Sequence, residues 1–288
     1  MLATARGASA GIRAAHGLRA LRAPLRALAR GELRVGVPLH RQLALAEQSQ
    51  WGRRCFVATT APLAPLIVVL DMDECLIHSG DFSNSNVAHD VKPVEGRGPP
   101  RAVPGAGVES FQLSFDDGLG CTVLKRPGLE NFLAKCCAKF ETYVFTAGTQ
   151  PYAEPLLDIL DPERRLAGRF YRSECLRVRG PDFEDMYLKD LSAITQRCGR
   201  APDDLARIVL VDNNPVSFLC QPRNGILVPN FVGEPDDVLE EVFELLVQLG
   251  DKEPDVRPKL NAIFGLEPAL VRARVQLGLP PEGPVSRL

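Results

Sequence analysis

The chain has 288 residues, 45% of them hydrophobic, and a formal net charge of −2. That length accommodates one sizeable core plus extensions, and the near-neutral balance gives no whole-protein reason to expect direct nucleic-acid binding. No apolar run approaches the ~18 residues of a membrane span, so no transmembrane segment is expected. Its eight cysteines, Cys55, Cys75, Cys121, Cys136, Cys137, Cys175, Cys198 and Cys220, form no Cys-x-x-Cys pair. That argues against a structural zinc site and for reduced thiols in an intracellular compartment. The P-loop pattern and the Gly-x-Gly-x-x-Gly dinucleotide fingerprint are both absent.

Residues 1–60 differ from the rest. No acidic residue precedes Glu32 and no lysine precedes Lys92. Arg19, Arg22, Arg26 and Arg30 recur at helical spacing, as do Leu18, Leu21, Leu25 and Leu28, with Pro24 as a kink. Such an Arg-rich, acid-poor leader resembles an organelle transit peptide. The expected location is mitochondrial or plastid, with the nucleus or cytoplasm as the other reading.

Leu66-Ile-Val-Val-Leu70 is a continuous aliphatic run that meets Asp71 and Asp73. It predicts a strand buried on both faces, with the two carboxylates on one side of its end. Two carboxylates so close need a use. Either a cation lies between them, or Asp71 is a nucleophile and Asp73 a general acid and base. From Gly80 to Gly107, Pro, Gly and Asn mark irregular chain. Phe111, Leu113 and Phe115 then alternate with polar residues, and Asp117-Gly118 leads to Cys121, Val123 and Leu124, which predicts a β-hairpin. Lys125-Arg126-Pro127-Gly128 reads as a solvated basic turn before a helix over Leu129 to Cys137.

Thr142 to Thr146 predicts a second buried strand. Its closing hydroxyl and the free N–H groups beyond it can hold phosphate oxygens. Ala206 to Val211 predicts a third strand, ending in Asp212-Asn213-Asn214-Pro215. Those hard oxygen donors, with Asp71, suit Mg²⁺. Ile226 to Val228 is a fourth strand, and Asp236 to Leu249 an amphipathic helix. Strands alternating with helices predict an α/β fold around a parallel sheet. Residues 250–288 read as a Pro-containing tail with one helix near Val271.

Leu70-Asp-Met-Asp-Glu-Cys-Leu-Ile-His-Ser79 resembles the nucleophile motif of the haloacid-dehalogenase (HAD) superfamily. The wording is that of the FCP/SCP branch, the phosphatases of the RNA polymerase II C-terminal domain and their Dullard-like relatives. Cys75 stands where the pattern has Thr or Val. Thr142-Tyr-Val-Phe-Thr146 with Tyr152 to Pro162, Tyr187-Leu-Lys189-Asp-Leu-Ser192, and Val211-Asp-Asn-Asn-Pro215 resemble the second, third and fourth motifs. Arg172-Ser-Glu-Cys175 replaces the usual Arg-Glu-Ser-Cys, and residues are inserted around Pro181 to Met186. The resemblance covers roughly residues 64 to 249. It implies a HAD-like three-layer sandwich over residues 61–249, with a small β-hairpin insertion after the first strand.

The resemblance also implies a Mg²⁺-dependent phosphatase for phosphoserine or phosphothreonine in proteins. Asp71, Asp73, Thr146 and Lys189 are the implied catalytic residues. Asp71, Asp73, Asp212 and Asn213 are the implied metal ligands. Arg172, Phe111 and Phe115 are the implied substrate contacts. The same family includes a presequence-binding subunit of the mitochondrial inner-membrane import translocase. Binding to import machinery is therefore the alternative expectation.

Overall fold

Strand β1 (Ile67–Leu70) is central because it is apolar on both sides: all four side chains are fully buried. Side chains of a strand alternate between faces, so total burial requires a layer on each face. Around β1 lie β6 (Glu141–Phe145), β7 (Gly168–Phe170), β10 (Ile208–Asp212) and β11 (Gly225–Leu227). The sheet order is β11-β10-β1-β6-β7, and every pairing is parallel. The expected α/β architecture with a central parallel sheet is present, with β7 as a fifth strand that the sequence pattern did not indicate. The structure is a computed structural model; it describes residues 62–84, 101–102, 108–115, 119–180, 185–201, 203–281, 283 and 285. The expected leader and the Asp117-Gly118 turn lie outside the described residues.

Register decides where chemistry can sit. Leu70 pairs with Val211 on one side and Val144 on the other. The carboxyl ends of β1, β6 and β10 therefore emerge together, the edge where open α/β sheets bind ligands.

The insertion after β1 is larger than the expected hairpin. Strands β2 (Ile77–Asn84), β3 (Arg101–Ala102), β4 (Glu109–Ser114) and β5 (Leu119–Lys125) form an antiparallel sheet in the order β2-β5-β4-β3. The expected hairpin is the β4–β5 pair within it. A second antiparallel pair, β8 (Leu176–Arg179) with β9 (Asp185–Leu188), precedes Lys189.

Among the described residues the α-helices are α1 (Leu129–Lys139), α2 (Gln150–Leu160), α3 (Ser192–Arg197), α4 (Val238–Lys252), α5 (Arg257–Phe264) and α6 (Leu266–Gln276). The amphipathic α4 packs against α1, with the rings of Phe140 and Phe243 6.3 Å apart. The expected tail from residue 250 is corrected here. Val256, Leu260, Ile263, Phe264, Leu266 and Leu270 are buried in the main core. Buried Arg207 ties the region down by donating to the main-chain oxygens of Ala64, Leu249, Gly250 and Glu253.

Candidate active site

Two strand ends and one hairpin end meet at a buried ion cluster. Asp71 is the first residue beyond β1, and its N–H donates to Val211 O at 2.9 Å. Asp212 closes β10. Lys189 follows β9, is 1% exposed, and donates from Nζ to Asp71 Oδ1 and to Asp212 Oδ2, the latter at 2.6 Å. The second Asp212 oxygen accepts from Asn214 N–H at 2.7 Å.

One ammonium thus serves two carboxylates, leaving an excess negative charge away from water. Burial and then the Asp212 charge raise the Asp71 carboxyl well above the carboxylate range, against the pull of Lys189. Burial by itself would lower Lys189, but Asp212 and Asp71 outweigh it, so the ammonium is held more firmly than usual.

Asp73 lies beside this cluster with its carboxylate turned the other way. Its Oδ1 accepts from the Tyr152 hydroxyl at 2.5 Å, and its Oδ2 from Thr146 Oγ1 at 3.4 Å. Burial raises the Asp73 carboxyl, while the Tyr152 hydrogen bond draws it down. Tyr152 is in turn 2.9 Å from Ser79 Oγ. Thr146 ends β6, and its Oγ1 accepts from Gly148 N–H at 2.9 Å, so the hydroxyl is aimed by its own turn. Gly148 is closely packed: a Cβ there would lie 3.0 Å from the Tyr152 ring and 3.1 Å from Thr146 Oγ1, so a side chain would push on both.

The expected metal ligands do not all converge as side chains. One end of the Asn213 carboxamide lies 3.2 Å from Asp71 Oδ2 and 3.3 Å from the main-chain oxygen of Asp73. With oxygen at that end, three oxygens face one another with no proton between them, an arrangement a hard cation neutralises; with nitrogen there, the amide donates to both. The Asp73 carboxylate is committed to Tyr152 and Thr146, and the Asp212 oxygens to Lys189 and Asn214. Of the four expected ligands, Asp71, Asp73 through its main-chain oxygen, and Asn213 lie together, while the Asp212 oxygens are taken by Lys189 and Asn214. Among the described residues no three His, Cys, Asp or Glu side chains form a metal cluster. The donors that fit Mg²⁺ are one carboxylate, one peptide oxygen and one amide.

Arg172 lies in a short 3₁₀ turn, donates from Nε to Ala147 O at 2.6 Å, and stacks its guanidinium 4.7 Å over Tyr187. Phe115 is half-buried, its ring 6.1 Å from that of Tyr152 at the border of the site. Phe111, expected beside it as a substrate contact, is instead buried in the core, because β4 turns it inward together with Leu113.

Arg126, read from sequence as solvated, is 1% exposed. It pairs with Asp236, donates to Cys75 O at 2.9 Å and Pro229 O at 3.1 Å, and lies over the Phe231 ring. Cys75 is fully buried, with Sγ 3.9 Å from Val211 O. Sequence reasoning missed Tyr152 as a site residue because it fits the apolar stripe of α2. The available signal was a phenol in the first helical turn after Thr146.

The sequence pattern of the NLI interacting factor-like phosphatase family matches residues 66–257. Among curated relatives, the "Probable C-terminal domain small phosphatase" of Dictyostelium discoideum is 36% identical over 67% of this chain and 53% of its own. "CTD small phosphatase-like protein 2" of the same organism is 39% identical over 69% of this chain and 30% of its own. The human "Carboxy-terminal domain RNA polymerase II polypeptide A small phosphatase 1" is 34% identical over 63% and 57%. The chain therefore spans between 30% and 57% of the length of these relatives. Among solved structures, one described as Fcp1, an essential RNA polymerase II CTD phosphatase, aligns over 74% of this chain and 61% of its own. That alignment has 21% identity and a TM-score of 0.38.

Proposed function

The chain belongs to the NLI interacting factor-like phosphatase family, and from that premise we propose that it is a Mg²⁺-dependent phosphatase of phosphoserine or phosphothreonine in proteins. The observation that carries this reading is the arrangement at the strand ends. Asp71 is held by Lys189, while Asp73, two residues on, is held by Tyr152 and Thr146 with its carboxylate turned elsewhere. Neighbouring carboxylates in different surroundings are what divided roles require.

Asp71 attacks phosphorus with an oxygen lone pair as the bond to the seryl or threonyl oxygen breaks, forming an aspartyl-phosphate. Asp73 gives its proton to the leaving oxygen. In the second half it takes a proton from water, whose oxygen attacks phosphorus and frees Asp71. Lys189 keeps one Asp71 oxygen fixed, and Thr146 with the N–H groups of its turn receives phosphoryl oxygens. The Asp71 carboxylate, the Asp73 main-chain oxygen and the Asn213 carboxamide would hold Mg²⁺, which neutralises charge on the transferring group.

The expected outcome is that the purified chain dephosphorylates a phosphoserine peptide with Mg²⁺, and that EDTA removes the activity until Mg²⁺ is restored. Asp71→Asn keeps the fold and lowers turnover at least about a thousandfold. Undiminished turnover by Asp71→Asn would sink the assignment of the nucleophile. The presequence-binding alternative gains no support from the relatives compared above, all of which are named as phosphatases.

A further inference from the structure

A groove of about 990 Å³ opens beside the active site, between the start of α2 and the β8–β9 hairpin. It is continuous with the site in the chain. Thr149 on one wall is three residues past Thr146, and Tyr187 on the other is two residues before Lys189. A phosphoryl group needs far less room; such a volume suits a larger ligand.

The wall is basic. Arg177 and Arg179 are exposed on successive outward positions of β8, and Arg172 stacks on Tyr187 behind them. Asp185 pairs with Arg177 at 2.7 Å, and Arg179 makes no ion pair among the described residues. Among the described residues, Asp185 is the carboxylate that lines the groove with Arg172, Arg177 and Arg179, in a chain whose overall charge is −2.

We propose that the β8–β9 hairpin reads acidic side chains flanking the phosphorylated residue, with Arg177 and Arg179 as the specificity-determining pair. This rests on the phosphatase reading above. Outward side chains on a strand repeat every ~6.6 Å, as do alternate side chains of an extended peptide lying alongside. Carboxylates two residues apart in the substrate therefore match the arginine spacing. A guanidinium fork is the side chain suited to carboxylate recognition. The acidic active site repels such residues and the hairpin attracts them, so the groove fixes where the flank runs.

The test uses paired phosphoserine peptides that differ only in having Glu or Gln at the flanking positions on either side. Wild-type kcat/KM is expected to favour the Glu peptide roughly five- to tenfold at low salt, shrinking at high salt. In Arg177→Glu/Arg179→Glu, and to a lesser degree in Arg179→Glu alone, the ratio inverts in favour of Gln. Equal rates on both peptides in wild type, or a preference that survives charge reversal, overturn the proposal. If neither peptide is turned over, the phosphatase reading fails by itself. Fluorescence anisotropy of the labelled peptides then still scores the groove, and equal affinity for both overturns it.

Discussion

Tyr152 supplies the hydroxyl that orients Asp73, and it does so from a helix whose other inward residues are aliphatic. Its proton is tightly held, because burial and then the Asp73 charge push the phenol well above its ordinary range, so it is available to donate. Tyr152→Phe keeps the ring beside Phe115 and deletes the hydroxyl's contacts with Asp73 and Ser79. A hydrogen bond to a charged group is worth about 1.5–3 kcal/mol, so kcat is expected to fall roughly ten- to a hundredfold with the unfolding midpoint little changed. An unaltered kcat would leave Thr146 as the residue that orients Asp73. Cys75, which departs from the family pattern, lies beneath the same loop as a packed thiol; burial holds it protonated.

At the scale of elements, the site depends on how segments are fastened to the sheet. Arg126, at the end of β5, links three of them: the turn after Asp73 through Cys75 O, the segment after β11 through Pro229 O, and the approach to α4 through Asp236. Arg126→Met preserves much of the apolar stem but orphans two carbonyls and a half-buried carboxylate. The expected cost is about 3 kcal/mol, read as a lower urea midpoint, with activity falling because the Asp73 turn loosens. An unchanged midpoint would mean that water replaces the guanidinium. Hairpin β8–β9 is the element that delivers Lys189 from one end and presents Arg177 and Arg179 along its length. The element that completes the cluster is thereby also the one placed to read the substrate.

For the molecule as a whole, the parallel sheet turns separate stretches of sequence into one reactive edge. Asp71, Thr146 and Asp212 are far apart in the chain and adjacent in space because β1, β6 and β10 share a register. The carboxyl-terminal helices belong to this body. Truncation after Leu249 would remove the buried residues of α5 and α6 and two of the oxygens that satisfy Arg207. Each lost Leu, Ile or Phe represents about 1.5–3 kcal/mol of burial. The shortened chain is expected to lose its cooperative unfolding transition and to bind a hydrophobic dye. A sharp transition in that chain would show the helices to be dispensable.

The aliphatic runs before Asp71, Asp212 and Thr146 determined by themselves that the chain forms a buried parallel sheet with acids at its exits, because runs of that length and apolarity have no other stable place. The same local signals marked Asp71, Asp73, Thr146 and Asn213, while Lys189 was marked only by the resemblance of Tyr187-Leu-Lys-Asp-Leu-Ser192 to a family motif. Tertiary structure alone decided which oxygens meet. It turned the Asp73 carboxylate to Tyr152 and its peptide oxygen to Asn213, gave Lys189 to two carboxylates, buried Arg126 and Phe111, and folded residues 250 to 276 onto the core. Those outcomes depend on contacts between segments well separated in the chain, 23 residues for Lys189 with Asp212 and 118 for Lys189 with Asp71, and on which face of a strand a side chain takes. No local run of sequence carries that information, since an arginine beside Pro-Gly reads the same whether its partner is water or a carbonyl on another strand.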